Sequence, residues 1–193
     1  MLRSQVKDLR AILLTHGHKD HIGGLDDVRA FNWVKQGAVD VYGNEGTREV
    51  VYKDFSYAFA AFRYPGVPEI NYHVIDDRPF YIDDIQVVPI PVLHYKMPVL
   101  GFRIGNFAYI TDAKTIPASS MERLKGVEYL VINALRKELH MSHFNLEEAL
   151  TMIARIQPKS AFFDPYRSSN GTFGRGIERV ACSGKISIRY PGN

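Results

Sequence analysis

Three histidines and an aspartate fall within six residues, directly behind a short apolar run, in Thr15-His16-Gly17-His18-Lys19-Asp20-His21-Ile22-Gly23-Gly24. Residues 11–14 read as a buried strand, so the cluster sits where a strand gives way to a tight turn. A lone histidine is commonly a satisfied polar group. Four donors converging in one turn are another matter, because only a cation relieves their crowding. Alternation along an extended segment places His16 and His18 on one side. The turn that follows brings Asp20 and His21 to an adjacent point, which suits two metal ions sharing one loop. Imidazole together with carboxylate selects Zn, Mn or Fe over Mg or Ca.

The remaining chain supplies a framework for such a site. Its 193 residues, 46% of them hydrophobic, are enough to bury a substantial core and predict a single domain over residues 1–193. Residues 2–10 read as the end of an amphipathic helix on Leu2, Val6 and Leu9. Gly23-Gly24 opens a helix near residues 25–34, followed by a strand at 39–42 and a helix at 45–52. The stretch 54–70 is rich in aromatics (Phe55, Tyr57, Phe59, Phe62, Tyr64) and broken at Pro65 and Pro68, so it reads as an irregular insert packing onto the domain. Strands are expected near 72–76, 79–82, 85–93, 100–104 and 107–111. A helix near 118–124, a strand at 129–133, a helix over 146–156 and a strand at 160–163 complete the series. This alternation predicts a layered α/β domain.

Several function classes are disfavoured. The formal net charge of +3 is too small to argue for nucleic-acid binding, and Lys and Arg are scattered along the chain. The single cysteine, Cys182, excludes an internal disulfide framework and a Cys-rich zinc site within this chain. No apolar run approaches the roughly 20 residues that span a bilayer. Charged residues interrupt the opening stretch before Ala11, so no signal peptide is read there and a cytoplasmic protein is expected.

The HxHxDH pattern of His16, His18, Asp20 and His21, with its trailing Gly23-Gly24, resembles the signature of the metallo-β-lactamase superfamily. The resemblance implies an αββα sandwich with a two-metal site at one edge of its sheets. His16 and His18 would bind the first metal, and Asp20 and His21 the second. It also implies a third ligand for the first metal at His94, which ends the apolar run 85–93. Asp112, in Tyr109-Ile110-Thr111-Asp112-Ala113, would be the carboxylate bridging both metals. Taken alone, His94 also reads as a strand-end polar residue and Asp112 as a helix or turn cap.

Thr111-Asp112-Ala113, Gly24-Leu25-Asp26-Asp27-Val28-Arg29 and Ser142-His143-Phe144 are similar to the bacterial phosphoribosyl cyclic-phosphate phosphodiesterases of phosphonate metabolism and their relatives. That branch implies a histidine at the place of His143 that protonates the leaving alkoxide. The alternative reading is that Ser142 or Asn145 caps the helix from Leu146 and His143 faces solvent. His140, close by in sequence, is a candidate assistant, whereas His73 reads as a strand residue. The implied function is a dinuclear hydrolase using two divalent ions, Zn or Mn, to cleave a small cyclic or nucleotide-like phosphodiester by metal-hydroxide attack. Asp20 or Asp112 would orient the nucleophile, and Lys96, Arg103, Arg136 and Lys137 are candidate phosphate clamps. Two alternatives stay open: an RNA-processing endonuclease of the same superfamily, for which no basic arm is visible, and an inactive relative retaining one metal. A small phosphodiester is the expected partner, nucleic acid is not favoured, no membrane is expected, and a homodimer stays open.

The chain departs from the resembled pattern at both ends. A final histidine ligand is expected after the strand at 160–163 in a Thr-His-x-x-His context, but the chain reads Asp164-Pro165-Tyr166-Arg167-Ser168-Ser169-Asn170-Gly171 and has no histidine beyond His143. Back-translated and read one nucleotide later, the same stretch permits Thr-His-Ile-Ala-His-Gln-Met-Gly. A frameshifted reading of residues from about 164 to 193 is therefore expected, with 186–190 as a candidate final strand. The fold implied by the resemblance also places several strands ahead of HxHxDH, so Met1 reads as an internal methionine of a longer protein. A weakened second metal site follows from the missing histidine.

Overall fold

A computed structural model describes Val6, residues 8–164 and the backbone of two further strands at 178–181 and 187–189. Leu2, Pro165 and Cys182 lie outside the described residues, as does most of the stretch read as frameshifted. The chain divides into two compact units, Met1–Asp76 and Asp77–Asn193, each with its own sheet and its own hydrophobic core.

The first unit is a three-stranded parallel sheet in the order β1-β2-β3: Ala11–Leu13, Val39–Gly43 and Ile70–Val74. Parallel pairing requires long crossovers, and the sequence fills both with helix. Between β1 and β2 run α1 (Lys19–Ile22), a 3-10 segment (Gly23–Val28) and α2 (Arg29–Lys35). Between β2 and β3 run α3 (Glu45–Asp54) and the aromatic insert. Val39 and Val41 are fully buried and pack with Ile22, Val28 and Val51 from the crossovers. The buried amide of Asn32 donates to the carbonyls of Gly37 and Glu69 and accepts from Glu69 N–H, which pins the chain just ahead of β3. Asn44 caps α3 by accepting from the Thr47 N–H at 2.9 Å.

Two local expectations are corrected here. Val6 and residues 8–10 are not helical, because three apolar residues at that spacing are too few to nucleate a helix without a packed face. The helix expected from residue 25 begins earlier, at Lys19, inside the histidine motif itself. Extended His18 offers its carbonyl to the N–H groups of His21 and Ile22, and Gly23-Gly24 then tightens the chain to a 3-10 turn. The insert is irregular as expected. Phe55 is buried, Phe59 stacks on Tyr52 with ring centroids 3.9 Å apart, and Tyr57 donates to Asp26, whereas Phe62 and Tyr64 are exposed.

The second unit is built on an eight-stranded sheet in the order β11-β10-β9-β8-β7-β6-β5-β4. Its first four strands, β4 (Phe80–Ile82), β5 (Ile85–His94), β6 (Met97–Ile104) and β7 (Phe107–Ile110), form an antiparallel meander. Then β8 (Tyr129–Asn133) and β9 (Ser160–Asp164) continue parallel to β7 through crossovers carrying α4 (Ala118–Arg123) and α5 (Leu146–Ile156). Antiparallel β10 (Glu178–Ala181) and β11 (Ser187–Arg189) follow, the latter inside the range expected for a final strand. Gly101 of β6 admits the backbone of β7, since a Cβ there would stand 2.8 Å from the Tyr109 carbonyl oxygen. The β7-β8-β9 run matters for function, because parallel strands gather their C-terminal ends at one edge. Asp112 follows the end of β7, Asn133 ends β8 and Asp164 ends β9.

Candidate metal centre

In the first unit, the motif after β1 brings its donors together. His16 is buried, with Nδ1 3.0 Å from the Thr15 hydroxyl and Nε2 2.9 Å from His18 Nδ1. The His16 and His21 rings lie 4.2 Å apart, and one donor nitrogen of each falls within 4.8 Å of the other. His21 Nε2 stands 3.6 Å from Asp20 Oδ2, with the Asp20 side chain 82% exposed. Helix α3 packs against the loop so closely that a Cβ at Gly17 would meet Val50 Cγ2 at 2.9 Å. Only glycine lets the histidine loop pass that helix.

In the second unit, three elements converge on His94, Asp112 and His143. His94 closes β5, and its Nδ1 lies 2.9 Å from the Ser142 carbonyl oxygen. A carbonyl only accepts, so Nδ1 carries the proton and Nε2 keeps its lone pair. Asp112 sits just beyond β7 in a left-handed conformation (φ 52°), a strained backbone for a residue with a side chain. The surroundings enforce it: Asn133 accepts from the Ala113 N–H at 2.8 Å and donates to the Ala113 carbonyl at 3.0 Å, and that carbonyl also takes the Phe144 N–H. His143 Nδ1 lies 3.4 Å from Asp112 Oδ1, and the His94 and His143 rings are 4.6 Å apart.

The loop 135–144 is closed at its base by Leu135 N–H to the Phe144 carbonyl and Leu146 N–H to the Arg136 carbonyl. Asn145 caps α5 within a reciprocal box with Glu148, whose carboxylate also holds Lys114. Asn145 is thus the cap. His143 is not solvent-facing, its side chain being 17% exposed. His140 lies 5.0 Å from the His143 ring, and its Nδ1 accepts the Ser142 N–H at 3.3 Å. Burial, then Arg136, Lys114 and His94, hold the His140 imidazole below its ordinary pKa.

Each half fits cation binding on its own geometry. Tetrahedral donors about 2.0 Å from a zinc ion stand roughly 3.3 Å apart. The His16–His18 pair at 2.9 Å and the Asp20–His21 pair at 3.6 Å are near that spacing, and a donor of His94 comes within 4.8 Å of one of Asp112.

Other candidates serve different ends. Arg103 is spent on the backbone carbonyls of Gly105, Arg123 and Lys125, so it is a strut and not a phosphate clamp. Arg136 donates to the Leu139 carbonyl of its own loop, and Lys96 lies over the Tyr95 ring. His73 belongs to β3, bonded to Asp40 at 2.8 Å and stacked on Tyr42. Sequence reasoning missed Asp164, which it treated only as a departure. Its Oδ2 accepts the hydroxyls of Thr111 at 2.7 Å and Tyr109 at 2.9 Å. Burial and then Asp164 itself push the Tyr109 phenol well above its ordinary pKa, so it remains a donor.

The family model described as "Beta-lactamase superfamily domain" matches residues 1–163 and so runs through both units. The chain belongs to the β-lactamase superfamily. Its α/β fold is the metallo-β-lactamase fold. A crystal structure of a diphosphatase from the PhnP family is similar at 33% identity and a TM-score of 0.78, over 86% of this chain and 63% of that one. A ribonuclease Z of Mycobacterium bovis is 32% identical over 149 residues, 68% of this chain and 53% of that protein. An octanoyltransferase of Porphyromonas gingivalis is 39% identical over 153 residues, 78% of this chain but 31% of that protein. The chain thus spans between about a third and about half of these curated relatives, and the transferase name describes a protein most of which lies outside the match. Among the described residues, no helix is long and apolar enough to cross a membrane.

Proposed function

We propose that the chain carries the metal-binding core of a dinuclear phosphodiesterase acting on a small cyclic or nucleotide-like phosphate. The observation that carries this reading is the pairing of His143 with Asp112. The imidazole Nδ1 lies 3.4 Å from the carboxylate, on a loop whose Ser142 carbonyl also orients His94. Expulsion of a poor alkoxide leaving group needs a positioned proton donor next to the charged centre. Likeness to a diphosphatase supports phosphoryl over acyl substrates.

The ligand assignment follows the superfamily resemblance: His16, His18 and His94 for one ion, Asp20 and His21 for the other, and Asp112 for both, with Zn or Mn favoured by this donor set. Divalent ions, when bound, neutralise charge growing on phosphoryl oxygens and lower the pKa of the attacking water. The side chains do the rest. His94 donates its Nδ1–H to the Ser142 backbone carbonyl, which would leave Nε2 as the ligand atom. Asp20, exposed beside His21, would accept a proton from incoming water. With Nδ1 of His143 turned to Asp112, its Nε2 would hand the proton to the departing oxygen.

The test is metal content and turnover of bis(p-nitrophenyl) phosphate by the full chain with added zinc or manganese. Bound metal with diester turnover supports the reading. Bound metal with hydrolysis of a thioester or lactone, and none of the diester, would overturn it. Likeness to a ribonuclease Z favours a second reading, an RNA-processing endonuclease. Cleavage of a structured RNA without turnover of the small diester would select it.

A further inference from the structure

We propose that His140 is a substrate-binding residue: its Nε2–H donates to a non-bridging phosphoryl oxygen of the substrate while His143 protonates the departing one. The inference deepens the phosphodiesterase reading and rests on it. Its basis is the way the loop 135–144 fixes the His140 ring. His140 Nδ1 accepts the Ser142 N–H at 3.3 Å, with the Ser142 hydroxyl at the same distance. A backbone N–H only donates, so Nδ1 holds a lone pair and the proton of the neutral ring sits on Nε2. Among the described residues, no hydrogen bond uses that Nε2–H.

Burial along the loop points the same way. From Arg136 to Met141 every residue is exposed except His140, which is half-buried. Its neighbours Leu139 and Met141 are 74% and 69% exposed. A loop built for stability alone would bury the apolar pair and leave the imidazole in water. Here the imidazole is drawn in, and its ring centroid lies 5.0 Å from that of His143. With a hydrogen-bond reach of about 2.9 Å from each ring, the two imidazoles can hold different oxygens of one phosphoryl group. The loop also keeps the ring in place. Arg136 donates to the Leu139 carbonyl at 3.0 Å, one residue ahead of His140, above the two backbone bonds that close the loop base.

The experiment compares the metal-loaded full chain with His140→Asn and His140→Gln. It measures binding of inorganic phosphate by calorimetry, and kcat and KM for bis(p-nitrophenyl) phosphate. Asparagine accepts a backbone N–H two residues on, as in an Asx turn, so it keeps the Ser142 contact but places no donor where Nε2–H stood. Glutamine reaches the Nε2 position with an N–H and gives up the Ser142 contact. His140→Asn is expected to weaken phosphate binding and raise KM about tenfold, the loss of one hydrogen bond to a charged oxygen, with kcat little changed. His140→Gln should recover most of both losses. A merely structural role predicts the reverse order, because asparagine and not glutamine preserves the turn. Parent-like values in His140→Asn, or glutamine no better than asparagine, would overturn the proposal. A loss of bound metal in His140→Asn would also overturn it, since the residue would then be supporting the metal site. A metal-loaded parent without diester turnover would instead remove the phosphodiesterase reading, and the phosphate affinities would then judge the donor role alone.

Discussion

The Nδ1–H of His94 donates to the backbone carbonyl of Ser142 at 2.9 Å, tying the end of β5 to the loop that carries His143. One peptide group thus sets the tautomer of a proposed ligand and the placement of a proposed acid. The metal-loaded protein should show a protonated Nδ1 and a metal-bound Nε2 at His94, read from long-range proton–nitrogen correlation spectra of the imidazoles. The opposite tautomer would break the link between loop and ligand.

Replacing His143 by alanine should leave metal content unchanged and slow turnover according to the leaving group. For an alkyl phosphodiester, where the departing oxygen needs a proton, a loss of about a hundredfold or more is expected. For a p-nitrophenyl ester, whose phenolate leaves unaided, the loss should be much smaller. Equal losses with both leaving groups would show that His143 does something other than donate a proton.

The loop also depends on its C-terminal anchor. Asn145 accepts from the Glu148 N–H at 2.9 Å, and Glu148 returns a bond to the Asn145 N–H while holding Lys114. Asn145→Ala removes the cap and should cost about 1 kcal/mol. Urea unfolding followed by helical circular dichroism would register this as a lowered midpoint.

At Pro165 the superfamily resemblance expects a histidine ligand. Pro165→His should raise the metal bound per chain and strengthen the weaker of the two binding steps, measured by titration with zinc. An unchanged titration would mean that the second ion, if bound, does not look to this position for a ligand.

How much of this was legible in the sequence depends on how local the signal is. The β5 strand and α5 were readable because a long apolar run and a polar cap residue ahead of a helix are local patterns. The start of β6 was not: the hairpin turns at Tyr95 with φ 57° and no glycine or asparagine to mark it, so the strand was expected at residue 100 when it begins at Met97. The four motif donors were evident from spacing alone. His94, Asp112 and His143 came from resemblance, since nothing in a linear chain states that residues 94, 112 and 143 meet. Asp164 stayed hidden for a related reason. Its meaning lies in two hydroxyls more than fifty positions earlier, 53 residues away for Thr111 and 55 for Tyr109.

The tight passage of the histidine loop past α3 gives the sharpest test of how the motif is held. A methyl group at Gly17 would lie 2.9 Å from Val50 Cγ2, closer than relaxed side chains pack, and a tight 3.0 Å from Val50 Cβ. Either the loop or the helix must move. Because His16 and His18 flank Gly17, displacement of the loop separates the 2.9 Å nitrogen pair. Gly17→Ala is therefore expected to cost about 1–3 kcal/mol, in line with overpacking elsewhere, and to weaken metal binding at the same time. Val50→Ala removes both Cγ atoms and with them the closest contact, leaving only Cβ at 3.0 Å, so combining it with Gly17→Ala should recover much of the metal affinity even where stability stays below the parent. Thermal melts with and without zinc separate the two effects. A double variant that remains as weak in metal binding as Gly17→Ala alone would show that crowding against the Val50 side chain is not what makes glycine necessary there.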